Sequence, residues 1–244
     1  NLSVSLSLLG KKVIAIDTDI GLRNLDVVMG LENSIVYNIV DVIEGNCRLK
    51  QAIIRDKRFR NLYLLPSAQS KDKSCINQYQ MINLTNELKQ KFDYVLIDCP
   101  AGIEQGFKNA IAGATRAIIV TTPEVSAIRD ADRVSCLLDK AGLYPINLIV
   151  NKIRNDLVKK GDMMSTDDVT EILSLDLIGM IHDDTDIVIS TNRGEPLAGA
   201  NSYSSKIFMN IAKRIDGEEV PMLNHKNRKF NFFKKYLTGG FQNV

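Results

Sequence analysis

Val13-Ile-Ala-Ile-Asp-Thr-Asp-Ile-Gly-Leu-Arg-Asn-Leu-Asp26 is the stretch whose reading decides the fold. It opens with four consecutive apolar residues, as a strand buried on both faces of a parallel sheet does. Two carboxylates, Asp17 and Asp19, follow where that strand must end. In open α/β sheets, ligands bind in the crevice beyond the carboxyl ends of the strands. A second apolar run, Tyr94-Val-Leu-Ile-Asp98-Cys-Pro-Ala-Gly102, ends the same way, with one carboxylate and a Pro/Gly break. Two strands delivering acids to one edge point to a site for a metal ion, a phosphate ester, or both.

Outward from these runs, strand and helix patterns alternate. Leu2, Leu6 and Leu9 fall at helical spacing before Gly10, which reads as a helix ending at a glycine stop. After a short apolar turn to Gly30, two short helices are expected near Tyr37–Glu44 and Leu49–Arg55, and a strand at Asn61–Pro66. Ser67–Asn77 reads as a polar loop and Gln78–Lys91 as a helix. The strand at Asp93–Asp98 is followed by a helix around Glu104–Gly113 and a strand at Arg116–Thr122. Val125–Ala141 is an amphipathic helix with Ile128, Val134, Leu137 and Leu138 facing inward. Further strands are expected at Tyr144–Asn151 and Leu177–Ile181, and helices at Ser165–Leu173 and Tyr203–Ile215, the first opened by a Ser/Thr-Asp cluster. Strands alternating with helices imply βαβ units, hence an α/β fold with a doubly wound, mostly parallel sheet and helices on both faces.

At 244 residues, with 45% hydrophobic and 25% charged residues, the composition is that of a globular protein with a sizeable core. Cysteines 47, 75, 99 and 136 form no C-x-x-C pair, which argues against a zinc knuckle and for reduced thiols inside a cell. No apolar run reaches the roughly 18 to 20 residues of a membrane span, and Leu2–Leu9 lacks the flanks of a signal peptide. His182 and His225 have no ligand-like spacing. The net charge of +2 is uneven: the last twenty residues carry Lys226, Arg228, Lys229, Lys234 and Lys235 and no acid. The remainder holds 26 basic and 29 acidic residues, a net of −3, which does not describe a general nucleic-acid binder.

Asp17-Thr-Asp-Ile-Gly-Leu-Arg-Asn-Leu-Asp26 together with Asp98-Cys-Pro-Ala-Gly-Ile-Glu104 closely resembles the MinD family of septum-site-determining ATPases, within the ParA/MinD group of P-loop NTPases. Thr122-Pro-Glu-Val-Ser-Ala-Ile-Arg-Asp130, Gly161-Asp-Met-Met-Ser165 and Ser190-Thr-Asn-Arg-Gly194 extend the resemblance, in the same order, over nearly the whole chain. Asp130-Ala-Asp-Arg-Val134, Asp162-Met-Met-Ser165 and Ser190-Thr-Asn-Arg193 look most like plastid members. The family's deviant Walker A loop, of the form K-G-G-x-G-K-T, lies between its first strand and first helix and does not occur in these residues. Residue 1 is Asn and the chain opens inside a helix, so the expectation is an N-terminal truncation that removes the first strand and the phosphate loop. The fragment is then expected to be inactive as an ATPase and poorly soluble, with apolar surface exposed at the sheet's centre.

The resemblance assigns ATP and Mg2+ as cofactors and gives each site residue a role. Asp19 corresponds to the switch aspartate that positions the attacking water, a sensible place for a carboxylate in phosphoryl transfer. Asp17 corresponds to a position beside the magnesium water shell, with a purely structural carboxylate as the alternative. Asp98 occupies the Walker B-like position that holds magnesium through water. Gly102 fits a switch loop approaching the γ-phosphate, or a simple turn. Asn151 matches a position that contacts the adenine edge, whose pattern an amide can pair, or it caps a strand end. Arg23 and Asn24 are expected at the face where two ATP-bound subunits meet, unless Arg23 is only a solvated charge. Arg129, Asp130, Asp132 and Arg133 would be the polar face of a partner-binding helix, unless those charges are simply solvated.

Residues 1–222 are thus read as the ATPase domain and residues 223–244 as a basic tail. On a helical wheel Phe230, Phe233, Tyr236 and Leu237 cluster on one arc, with Lys234 and Lys235 near its borders, although Lys229 intrudes and Phe232 lies off it. Aromatics flanked by lysines suit an interfacial helix on an anionic bilayer. The whole describes an ATPase for division-site placement that forms a homodimer with ATP, binds membrane reversibly and meets Min-system division regulators. It would work on the inner-membrane surface of a plastid, or else of a bacterium, with no specific nucleic acid. Two rivals are a ParA-like DNA-partitioning ATPase of the same fold and a non-catalytic interaction protein.

Overall fold

The computed structural model describes residues 1–72 and 75–223. The chain begins with α1 (Leu2–Leu8) and β1 (Val13–Asp17), then α2 (Leu25–Val28), α3 (Ile39–Ile43), α4 (Leu49–Ala52), β2 (Ile54–Arg55) and β3 (Leu62–Leu65). There follow α5 (Gln78–Lys89), β4 (Tyr94–Asp98), α6 (Gln105–Ala112), β5 (Ala117–Thr121), α7 (Val125–Lys140) and β6 (Ile146–Ile153). The remainder is α8 (Asn155–Lys160), α9 (Thr166–Leu173), β7 (Asp176–His182), α10 (Thr185–Asn192) and α11 (Tyr203–Ile215). This is the doubly wound, mostly parallel architecture that the sequence predicts.

Hydrogen bonding divides the strands into two sheets, ordered β2-β3-β1-β4 and β5-β6-β7. Every pairing is parallel except the two-residue β2 against β3. All five residues of β1 are buried, as the continuous apolar run requires. β4 and β5 each pair along one edge only among the described residues, and they are less covered: Tyr94–Ile97 are half-buried and Val120 is 56% exposed. One apolar cluster nevertheless runs beneath both sheets. Val4, Leu6, Val13, Leu64, Ile149, Ile207, Phe208 and Ile211 belong to it, and it also touches Leu96 of β4 and Ile118 of β5. α1 and α11 therefore cover one face. On the other, α3, α4 and α5 pack on Ile14 and Ile16, while α7 and α9 pack on Leu148 and Val150.

Local signals explain the helix boundaries. Ser165 caps α9 by accepting from the Asp168 N–H, and the Asp168 carboxylate accepts from the Ser165 N–H in return. Asn38 and Asn77 make the same reciprocal caps for α3 and α5. Two readings need correction. The helix expected over Leu49–Arg55 stops at Ala52, because Ile54 and Arg55 pair with Leu64 and Tyr63. The turn before Gly30 contains the short α2, and α8 and α10 arise where no helix is expected. Among the described residues β4 and β5 are not bonded to each other, which leaves the parallel sheet in two parts.

Candidate functional site

β1 and β4 run in parallel register from Val13 opposite Tyr94 to Asp17 opposite Asp98, so the two acids end neighbouring strands side by side. Thr18 ties these ends together. Its N–H and its Oγ1 both donate to the Asp98 carbonyl, at 3.2 and 2.5 Å. Thr18 is part of the site's framework, and its place between two acids in Asp17-Thr-Asp19 was the one sequence signal for it.

Asp17 is 1% exposed. Its Oδ1 accepts from the Asp19 N–H at 2.9 Å, and its Oδ2 from the Asn24 and Leu25 N–H groups, both at 3.3 Å. Burial raises its pKa, and these three bonds oppose that rise by stabilising the anion. Asp17 thus folds the Asp19–Leu25 loop around itself, which is the structural reading of this residue. Asp19 is half-buried on that loop. The Asp98 carboxyl is pushed up to about 6, first by partial withdrawal from water, then by the like charges of Asp17 and Asp19. Asp98 as a whole is exposed at the open end of its strand, so solvent screens part of this shift. Its neighbour Cys99 is pushed up to about 11 by burial and by Asp98 and Asp19, which keeps it a neutral thiol.

Three carboxylates thus crowd one sheet edge, and a cation there would relieve their repulsion. Among the described residues, no three His, Cys, Asp or Glu side chains are arranged to ligate a metal directly. Oxygen donors are the kind magnesium takes, and Asp98 is the most exposed of the three acids.

Gly102, in the loop after β4, has φ of 91° and is exposed, and a Cβ there would meet nothing within 4 Å. Conformation, not crowding, calls for glycine at this position. Asn151, near the end of β6, accepts the Lys152 N–H on its Oδ1 at 2.9 Å and supports Lys152 at φ 56°. Arg23 turns inward, its Nε 2.9 Å from Asp26, whose side chain is fully buried. Asn24 beside it is exposed. Asp26 and Arg58, which braces the following residues, were not singled out in the sequence. Arg58's partners Met29 and Gly194 are too distant in the chain to be read from it.

On α7, Ile128, Ala131 and Leu138 are buried, while Arg129, Asp130, Asp132 and Arg133 are all exposed on the opposite side. An open depression of about 530 Å³ lies at the start of this helix, lined by Pro123, Glu124, Val125, Met163, Met164 and Ser165 among others. None of the three acids lines it. The tail residues Phe230, Phe233, Lys234, Lys235, Tyr236 and Leu237 lie outside the described residues, as does His225. No helix among the described residues is long and apolar enough to cross a membrane.

Comparison with known proteins places this geometry in a family. Residues 1–157 match the family model described as an AAA domain. The chain is 54% identical over 225 residues to the septum site-determining protein MinD of Bacillus subtilis, covering 91% of this chain and 84% of that one. Among solved structures, the MinC:MinD cell division protein complex of Aquifex aeolicus aligns with a TM-score of 0.85 and 42% identity, covering 92% of this chain and 91% of that one. The septum site-determining protein MinD of Pyrococcus horikoshii, complexed with Mg-ADP, aligns with a TM-score of 0.80 and 30% identity over 88% of each chain. With Asp17 and Asp98 on adjacent strand ends and Asp19 on the loop between β1 and α2 in a doubly wound P-loop NTPase fold, this chain belongs to the MinD family of septum site-determining proteins.

Proposed function

We propose that the protein is an ATPase that sets the position of the division septum, dimerising with ATP and docking reversibly on an anionic membrane surface. The observation that carries this reading is the placement of Asp17, Asp19 and Asp98 on one sheet edge, in a chain 54% identical to a bacterial MinD. In this proposal Asp19 orients the attacking water, held in place by the Asp17 carboxylate that binds its N–H. Asp98 holds magnesium through water. Magnesium, bound with the nucleotide, neutralises charge on the phosphate oxygens. Gly102 lets the loop after β4 approach the γ-phosphate, and Asn151 borders the adenine. Asn24 faces the second subunit, and Arg23 holds that loop in shape through Asp26.

The exposed charges of α7 and the depression beside them would receive the partners, which are division regulators like the MinC bound to the A. aeolicus relative. Residues 223–244 would carry the membrane contact. Each basic residue near an anionic surface contributes about 1 kcal/mol, so one tail binds marginally, and two tails on a dimer bind far more tightly through effective concentration. The plastid-like motifs favour the inner-membrane surface of a plastid, with a bacterial inner membrane as the alternative. Hydrolysis in this scheme needs a phosphate loop, whose backbone N–H groups cradle the phosphates. These 244 residues include none, so by themselves they would turn over little ATP.

Vesicle sedimentation tests the scheme, using the protein with its phosphate loop and vesicles rich in phosphatidylglycerol. ATP should increase pelleting, and deletion of residues 225–244 should abolish it. Equal pelleting by both forms would overturn the tail's role. An Asp19→Ala variant that hydrolyses ATP at the full rate would overturn the assignment of the water-positioning residue.

A further inference from the structure

Arg58 sits between β2 and β3, far from the acids in sequence, and joins three separate segments. Its Nε and one terminal nitrogen form a two-pronged pair with Asp56, at 3.1 and 2.8 Å, and Asp56 is buried. Its backbone N–H also donates to Asp56, at 2.8 Å. The remaining donors go outward, one to the Gly194 carbonyl at 2.9 Å and one to the Met29 carbonyl. Met29 ends the segment that begins at Asp17, and Gly194 closes the Ser190-Thr-Asn-Arg-Gly194 turn at the end of α10, a motif to which the proposed function gives no role.

The two segments meet backbone to backbone. A Cβ on Gly30 would lie 2.4 Å from the Gly194 carbonyl oxygen, and a Cβ on Gly194 would lie 2.8 Å from the Gly30 Cα. Both glycines have φ of 64°, so neither position accepts a side chain without moving its partner. The segment Asp17–Gly30 is therefore pinned at both ends. Asp17 gathers its front through the N–H groups of Asp19, Asn24 and Leu25, and Arg58 fixes its back against the turn after α10.

We infer that Arg58 is a positioning residue, which clamps the segment bearing Asp19 and Asn24 to the Gly194 turn and so holds the water-orienting acid in register. The inference rests on the proposed ATPase reading. A guanidinium suits the task, because its planar fork satisfies Asp56 and two carbonyls at once, whereas a lysine ammonium cannot form the fork. Arg58's hydrogen bonds go to Asp56, Met29 and Gly194, so it acts through the segment it holds.

The test uses the protein with its phosphate loop and three variants, Arg58→Met, Arg58→Lys and Gly194→Ala. The last separates the two segments without altering a charge. Each should lower kcat on the order of tenfold, the scale by which small misplacements slow an aligned reaction, and leave KM for ATP within about twofold. Each should also accelerate amide hydrogen exchange over residues 24–30 while β1 and β6 stay protected. Arg58→Lys should resemble Arg58→Met, since charge alone does not rebuild the clamp. Unchanged exchange over 24–30, or an unchanged kcat, in folded variants would overturn the inference. Should Arg58→Met fail to fold, the milder Arg58→Lys and Gly194→Ala decide. If the unsubstituted protein fails to hydrolyse ATP, the ATPase reading falls and the catalytic role of Arg58 with it, whereas the exchange data still report whether the clamp exists.

Discussion

Asp17 and Asp98 end adjacent parallel strands in direct register, and Thr18 bonds to the Asp98 carbonyl between them. This neighbourhood makes Asp98 a titrating group, held up to about 6 by partial burial and by the like charges of Asp17 and Asp19. An unfolded aspartate titrates near 3.9. Between these two values the folded chain binds more protons than the unfolded one, so the Asp98 contribution to stability declines as pH rises from about 4 to 6 and stays low above that. Magnesium needs the ionised carboxylate, so its affinity should rise through the same window. Thermal melts from pH 4.5 to 8, with and without magnesium, should show the ion's stabilisation growing as pH rises through 6. Asp98→Asn should flatten that dependence, and a magnesium effect independent of pH would contradict the assignment.

Arg23 and Asp26 form a second, structural charge pair, with Asp26 fully buried and the Arg23 side chain 15% exposed. Removing one partner of such a pair strands the other charge, whereas replacing both with apolar residues is often neutral. Arg23→Ala is expected to cost about 3–5 kcal/mol in urea unfolding. The pair Arg23→Met with Asp26→Leu should return most of that loss. A single substitution as mild as the double one would show that Arg23 is a surface charge after all.

The parallel strands were legible from their unbroken apolar runs: Val13–Ile16 is buried on both faces, as such a run requires, and Tyr94–Ile97 carries the same run although it is half-buried. The acids were legible for the same reason, since Asp17 and Asp98 stand where those runs stop. α10 was not, because none of its residues is buried, so packing leaves no apolar period in Thr185–Asn192. β2 is two residues long and exists through its pairing with Leu64 and Tyr63. The work of Arg58 lay beyond the sequence in a stricter sense. Its partners stand 29 and 136 positions away, and only the folded chain brings the Met29 and Gly194 carbonyls to one guanidinium.

Gly179 lies inside β7, and a glycine within a strand marks a close approach by another element. A Cβ there would come within 2.4 Å of Ile211 Cδ1 and 2.6 Å of its Cγ1, on the α11 helix that covers this face. Ile211 is fully buried and also packs with Phe208 and Ile149, so it cannot swing away without displacing them. Gly179→Ala should therefore destabilise the protein by about 1–3 kcal/mol through overpacking. Adding Ile211→Val removes only the Cδ1 contact and leaves the Cγ1 contact, so it should recover part of the loss and not all of it. Placed far from the carboxylates, both variants should keep the pH window of magnesium binding set by Asp98. Denaturant midpoints measured beside that titration separate the two effects, and a Gly179→Ala protein as stable as the original would mean that α11 can lift from β7 at no cost.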